Sequence, residues 1–474
     1  MGNLKLNKTM GKSELKKLFY MREVEGCFES EDGGSGVVAW CNDTSIDIMG
    51  MQFLRSAPKG QDEFLVTLEQ AVESLFLPCL QAIQEPDCKV YIQCFDKSNY
   101  VVAAKQPEQT KRDAAKVTRE GSDPRRGVPM SYRMHQLAVQ GSHDRFSNLG
   151  EVEQSGFQAS VGDWKKAVLD RNTKKHVVSH ICSRARSMLP NLLRKANVPA
   201  DKYIVIDFHN TESASGQDII VASSSGDLSA DEDITAQFRN ELGEFDVAHL
   251  HHLNSPMVRK AVDDHGNDAK VLVKSTDADI IAVHLLQSQV VLPPYVRILS
   301  TLPASLTKET HRTSVLINPQ GILTWIHNVF ENTELEDPVE QFVKLFILSG
   351  TDFVDGVPGK GTFSLLDQYI RKVSIASNRA PTAEQYVHAT LHSIFGTKSA
   401  SVATSKRKQR CLEVDLKQRN LRAEWVLKYW KWSYADPTQI PSHLGMGWAI
   451  KGNQHVCAED LHVSNSTIKK IKMF

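Results

Sequence analysis

CKVYIQCFD, residues 88–96, is an apolar β-type run that ends in an acidic residue. Three other runs share that form: VVAWCNDTSIDI (37–48), KYIVIDF (202–208) and AKVLVKSTDAD (269–279). Helical patterns lie between them. From Asp62 to Ile83, Leu65, Leu68, Val72, Leu75 and Phe76 fall on one face, with Pro78 near the end. Alternation of strand, helix and strand predicts an α/β sandwich around a mostly parallel sheet. In such a sheet the residues at the C-terminal ends of the strands gather at one edge, which is where chemistry is expected.

The rest of the chain sets the bounds. With 474 residues, of which 41% are hydrophobic and 24% charged, one catalytic module with elaborations is expected. The longest apolar stretch, Ile280 to Val296, is broken by His284, Gln287, Gln289, Pro293 and Pro294, so no membrane span is expected. The first residues, MGNLKLNKTMGKSELKKLF, hold no apolar core of a secretory signal, which points to an intracellular protein. Eight cysteines contain no CxxC pair and several sit in apolar runs; they read as reduced core thiols. Lys+Arg and Asp+Glu both number 56, so any attraction to a polyanion must come from charge placed locally.

Composition divides the chain further. From Asp113 to Gln237 it shifts toward Gly, Ser, Arg and Asp, which reads as a long insertion with helical pieces at Trp164–Leu169 and His180–Lys195. A mainly helical second half begins near Pro338 and includes LKQRNLRAEWVLKYWKW, where Leu421, Trp425 and Trp432 recur at helical spacing. Thr397 to Arg410 reads as a linker with a basic end; Lys406–Arg410 is compatible with a nuclear signal or a phosphate patch, although such short runs are more often merely solvating. The C-terminal STIKKIKMF carries no sliding-clamp motif.

Phosphodiester hydrolysis needs an activated water, charge stabilisation on phosphoryl oxygens and help for the leaving oxygen, all of which two metal ions supply. Hard divalent cations require oxygen ligands. Asp47 closes the first β run and Asp96 the second; Glu244 and Asp246 (GEFDVAHL) and Asp277 and Asp279 (STDADIIA) form i, i+2 pairs; Asp352 follows the apolar FVKLFILSG. Each alone is most simply a solvated carboxylate. Together they differ, because a carboxylate ending a hydrophobic strand costs desolvation unless a cation or hydrogen bonds compensate.

The order and context of these seven acids resemble the flap endonuclease (Rad2/XPG) family. MGKSELKKLF from Met10 is similar to its N-terminal segment, CFDK to its Phe-Asp-Gly with Lys97 in place of Gly, Glu244/Asp246 to its Glu-x-Glu, and Asp277/Asp279 to its Asp-x-Asp. LSGTDFVDGVPGKGTF (348–363) is similar to its Leu-x-Gly-x-Asp-Tyr segment leading into Gly-x-Gly. The resemblance implies a PIN-like α/β/α nuclease fold with a C-terminal helix–two-turn–helix. It divides the chain into nuclease core (10–112 and 238–336), insertion in the arch or cap region (113–237), helix–two-turn–helix (337–396), and linker with helical extension (397–474). It implies two Mg²⁺ ions, with Mn²⁺ as a substitute: Asp96, Glu244 and Asp246 on one, Asp277, Asp279 and Asp352 on the other, and Asp47 bridging through water.

Gly356, Gly359 and Gly361, with Pro358, read as a tight turn between two helices, where backbone N–H groups approach a phosphate and Lys360 adds charge. The resemblance makes this turn a grip on duplex DNA, with K⁺ bound. In AAKQPEQTKRDAAK (103–116), Lys105, Gln109 and Arg112 share one side of a helix begun near Pro107. A solvated face is the ordinary reading; the resemblance assigns Lys105 and Arg112 to the scissile phosphate. His249, His251 and His252 suggest a metal cluster but are expected to pack or face solvent, and Asp207 in VIDFHN is the reserve ligand. The expected protein is a monomeric structure-specific 5′ nuclease acting on branched or 5′-ended DNA. The alternatives are an RNA nuclease of the same fold, such as a 5′→3′ exoribonuclease or a viral host-shutoff-like ribonuclease, and a silent nucleic-acid-binding scaffold.

Overall fold

The computed structural model describes residues 14–29, 36–44, 65–95, 103–105, 107, 158–160, 171–208, 218–240, 242, 244–275, 277–287, 295–302, 313–357, 360–375, 380–396, 402–452 and 454–458. Its strands are β1 (Phe28–Glu29), β2 (Val37–Thr44), β3 (Leu65–Thr67), β4 (Val90–Phe95), β5 (Gln158–Ser160), β6 (Tyr203–Phe208), β7 (Asp218–Ser223), β8 (Gly226–Asp227), β9 (Lys270–Lys274), β10 (Val296–Leu302), β11 (Thr313–Ile317), β12 (Trp448–Lys451) and β13 (Gln454–Cys457). The helices of the first half are α1 (Glu14–Met21), α2 (Leu68–Gln84), α3 (Arg171–Lys195), α4 (Glu232–Thr235), α5 (Phe245–Leu253) and α6 (Pro256–His265). Those of the second half are α7 (Asp279–Gln287), α8 (Pro319–Phe330), α9 (Pro338–Ser349), α10 (Thr362–Ile375), α11 (Ala383–Gly396) and α12 (Val402–Trp432). Two compact units result. One comprises Met1–Glu31, Val102–Lys111 and Ser275–Phe474; the other comprises Asp32–Val101 and Arg112–Lys274.

The second of these units is an α/β sandwich. β9, β2, β4 and β6 pair in parallel in that order, and β7 and β8 continue the sheet antiparallel. The sheet is therefore mixed. Its parallel part is built from the four runs singled out in the sequence, and its antiparallel edge from DIIVAS, inside the segment read as an insertion. The connection 209–217 is shorter than the dozen or so residues a parallel crossover takes, so β7 must turn back along β6. On one face Tyr91, Phe95, Ile204, Ile206 and Phe208 pack with Phe76, Leu80 and Ile83 of α2 and Leu189 and Leu193 of α3. Phe95 stacks on Phe208 at 4.6 Å. Buried Lys202 ties α2 to this face: its Nζ donates to the carbonyls of Ile83 (3.1 Å) and Glu85 (2.5 Å), the orphan acceptors of the helix end. On the opposite face, α5 packs on β2 and β4.

Two further segments differ from expectation. The helix expected over 62–83 begins only at Leu68, because Leu65–Thr67 pairs with Gln158–Ser160. The expected linker is helical from Val402, since α12 runs to Trp432 with no Gly or Pro to stop it. The basic run 406–410 lies inside that helix.

The other unit combines antiparallel β1, β10 and β11 with α1 and α7–α12. Phe19 of α1 meets Trp325 of α8 and Phe342 of α9, at 5.9 and 6.1 Å. Gly321 sits where any side chain would strike the carbonyl oxygen of Gly26, 2.2 Å from a Cβ. Phe353 inserts among Trp425, Tyr429 and Trp430 of α12, with centroids 5.9 to 6.2 Å away. The six cysteines whose side chains are described are buried and in no disulfide, and burial pushes the thiols of Cys27, Cys79 and Cys88 up, as unreactive core thiols require. Among the described residues no helix is long and apolar enough to cross a membrane.

Candidate functional site

Parallel register brings three polar residues into one row near the C-terminal ends of the strands. Asp43 of β2 lies opposite Cys94 of β4, and Cys94 lies opposite Asp207 of β6. Register partners in a parallel sheet project to the same face. This is the face covered by α5, whose last turn supplies His252. His252 Nε2–H donates to Asp207 Oδ2 at 2.7 Å. The side chains of Asp207 and His252 are wholly buried, and Cys94 is 3% exposed. Their ligand atoms lie within 4.8 Å of one another, and among the described residues no other group of three or more His, Cys, Asp or Glu does so. Burial pushes the Cys94 thiol well above its ordinary value, and its neighbours Cys41, Asp207 and Asp43 act in the same direction. The row was legible only in part. Asp207 stood out as an acid ending an apolar run; Cys94 stood out only as a core thiol. Aligning the apolar centres of CKVYIQCFD and KYIVIDF would have set the two opposite each other.

Of the helix histidines, expected to pack or face solvent, His249 packs. His249 Nδ1–H donates to the Phe245 carbonyl at 2.7 Å, its ring stacks on Phe245 at 5.1 Å, and burial lowers its pKa from 6.5 to about 4. Glu244 is the N-cap residue of α5, and Asp246 lies in its first turn. An acid at a helix N-terminus is favoured by the dipole whatever else it does. Asp43, not singled out in the sequence, is the acid inside the first strand. β2 is described to Thr44. Asp47, Asp96, Gln109, Arg112 and Gly359 lie outside the described residues.

The other unit carries Asp277, Asp279, Asp352 and Lys105. Asp277 N–H donates to Ser275 Oγ at 3.1 Å, and Asp277 Oδ1 accepts the N–H of Asp279, also at 3.1 Å. Asp279 opens α7 fully buried. Asp352 lies between α9 and α10 in a turn held by the bond from Thr351 N–H to the Val354 carbonyl at 3.0 Å. Lys105 Nζ sits 4.8 Å above the ring of Phe353. Gly356 is required where it is, because a Cβ there would lie 2.6 Å from the Ser349 carbonyl oxygen. The helix N-terminus expected to face a phosphate is met by the chain itself: Phe363 N–H donates to Glu14 Oε2 at 2.9 Å, and a Cβ on Gly361 would touch the same oxygen. Lys360 Nζ donates to Gln368 Oε1 at 3.3 Å. Comparison of the chain with models of known protein families and with curated proteins finds no match.

Proposed function

We propose that this chain is a divalent-metal-dependent nuclease of the PIN-like, flap endonuclease type, hydrolysing phosphodiester bonds of branched or 5′-ended DNA with Mg²⁺. The observation that carries the reading is the pair Asp277 and Asp279. Asp277 is fixed by hydrogen bonds at both its N–H and its carboxylate, and Asp279 is a carboxylate held at full burial on the very apolar helix DIIAVHLLQ. Carboxylates so positioned offer a hard cation the oxygen ligands it requires. Asp277 and Asp279 would hold Mg²⁺, which would supply activation of the attacking water and neutralisation of charge on the phosphoryl oxygens.

Further support comes from Lys105, whose ammonium sits over Phe353, the residue next to Asp352. A cation fixed over the ring that follows the proposed ligand in sequence is suited to holding a phosphate oxygen. In the α/β unit, parallel pairing sets Asp43 opposite Cys94 near the C-terminal ends of the strands, the edge at which α/β sheets bind ligands.

The test is cleavage by the intact protein and by Asp277→Asn, with and without Mg²⁺, on matched DNA and RNA flaps, nicks, hairpins and single strands. Mg²⁺-dependent products, reduced about 10²-fold or more in the variant, are expected. Equal cleavage by both proteins, or none by the wild type on any substrate, overturns the reading. Stronger cleavage of the RNA set reassigns the substrate.

A further inference from the structure

The α/β unit holds a donor set that hard-metal chemistry does not use. One thiol, one carboxylate and one imidazole, from β4, β6 and α5, converge within 4.8 Å beneath a helix. We infer that Cys94, Asp207 and His252 bind a divalent transition metal of the zinc class, separate from the Mg²⁺ ions of the proposed nuclease reaction.

Three observations support this. First, the donor types are one soft sulfur, one borderline nitrogen and one oxygen, the set taken by Zn²⁺ and declined by Mg²⁺, which demands oxygen ligands. Second, the group is assembled by backbone that cannot drift: Cys94 and Asp207 are register partners in the parallel sheet, and His252 ends a helix packed on that sheet. Third, the position is closed to water, with exposures of 3% for Cys94 and none for the other two, as in a structural site. The Asp207–His252 hydrogen bond accounts for two of the three side chains; it does not account for a thiol as the third donor.

Binding is proton-coupled. The Cys94 thiol gives up its proton to solvent and becomes the thiolate ligand. The imidazole proton passes from Nε2 to Nδ1, an atom that has no hydrogen-bond partner among the described residues. Tetrahedral zinc with bonds of about 2.0–2.3 Å sets its donors roughly 3.3–3.8 Å apart. The Asp207–His252 contact therefore opens from 2.7 Å as the ion enters.

The experiment uses the full chain, purified without a metal-chelating tag. Elemental analysis after dialysis against excess Mg²⁺ is expected to show about one retained zinc per chain. Replacement of the metal by Co²⁺ is expected to give a thiolate-to-cobalt charge-transfer band, lost in Cys94→Ser, weakened in His252→Gln and kept in Asp277→Asn. Folded wild type that retains no zinc and gives no band with added Co²⁺ overturns the inference. So does a band that survives in Cys94→Ser. The wild-type measurement decides even if a variant fails to fold, and it reads metal content whether or not the chain cleaves nucleic acid.

Discussion

Arg419, on α12, donates from Nη1 to the carbonyl oxygen of Asp355 at 2.6 Å, and the same nitrogen reaches the Gly356 carbonyl at 3.3 Å. Its Nε is held by Asp415 at 2.8 Å. A helix of the C-terminal region thus pins the turn that follows Asp352. Replacing the guanidinium by an apolar chain leaves two carbonyls and a carboxylate without their donor. Arg419→Met is expected to lower the free energy of unfolding by about 2–3 kcal/mol, read by denaturant titration. It should also depress any cleavage activity more than a surface Arg variant of matched stability does.

Glu14 ties the first helix of the chain to the start of α10. Its carboxylate accepts the N–H of Phe363 at the positive end of that helix. Glu14→Ala is expected to cost about 1 kcal/mol in thermal or chemical denaturation. Glu14→Gln keeps an acceptor and should lose roughly half of that.

Lys105 separates structural from chemical roles. Its contact with the Phe353 ring contributes about 1 kcal/mol, so Lys105→Met should shift the melting midpoint only slightly. If its charge serves a phosphate, the same substitution lowers the cleavage rate roughly 10²-fold or more. A variant with an unchanged rate would remove Lys105 from the mechanism.

His249 predicts a pH dependence. Burial is the main cause of its lowered pKa, proximity to His252 adds to it, and the hydrogen bond to Phe245 opposes it. Its folded pKa of about 4 lies below the ordinary 6.5, so the unfolded chain binds the proton more readily. Stability is then full above pH ~6.5 and falls as pH drops toward ~4, by on the order of 3 kcal/mol from this residue. Unfolding midpoints at pH 7 and pH 4.5 check it: His249→Leu should flatten the difference relative to wild type.

Much of this architecture could be read before any coordinate. The four runs at 37, 88, 202 and 269 are the four parallel strands, because apolar β-forming stretches between helical patterns leave few alternatives. The weaker readings failed where neighbours decide. Leu65–Thr67 carries a helical pattern but is claimed by Gln158–Ser160, and DIIVAS, set in a polar segment, becomes a sheet strand by pairing with β6. At the candidate sites, Asp277 and Asp279 were visible as an i, i+2 pair at a helix start. Asp43 was passed over because the run read as a strand continues beyond it to Asp47, the acid taken as its end. The meeting of Cys94 with His252 depends on register and on the packing of α5, neither of which is local in the chain.

The parallel pairing of β2 also governs the order in which the protein can be made. On its β9 side Val37 finds its partner only when Lys270 has been synthesised, and on its β6 side Val90 only when Tyr203 has. A nascent chain emerging from the ribosome therefore carries β4 with one open, apolar edge until β6 is made and β2 with one until β9 is made. Contacts of such sequence separation slow folding, and unpaired edges invite association with other chains. Production should accordingly improve with slowed translation or chaperone supply, and truncation before β9 should yield aggregates instead of a smaller folded domain.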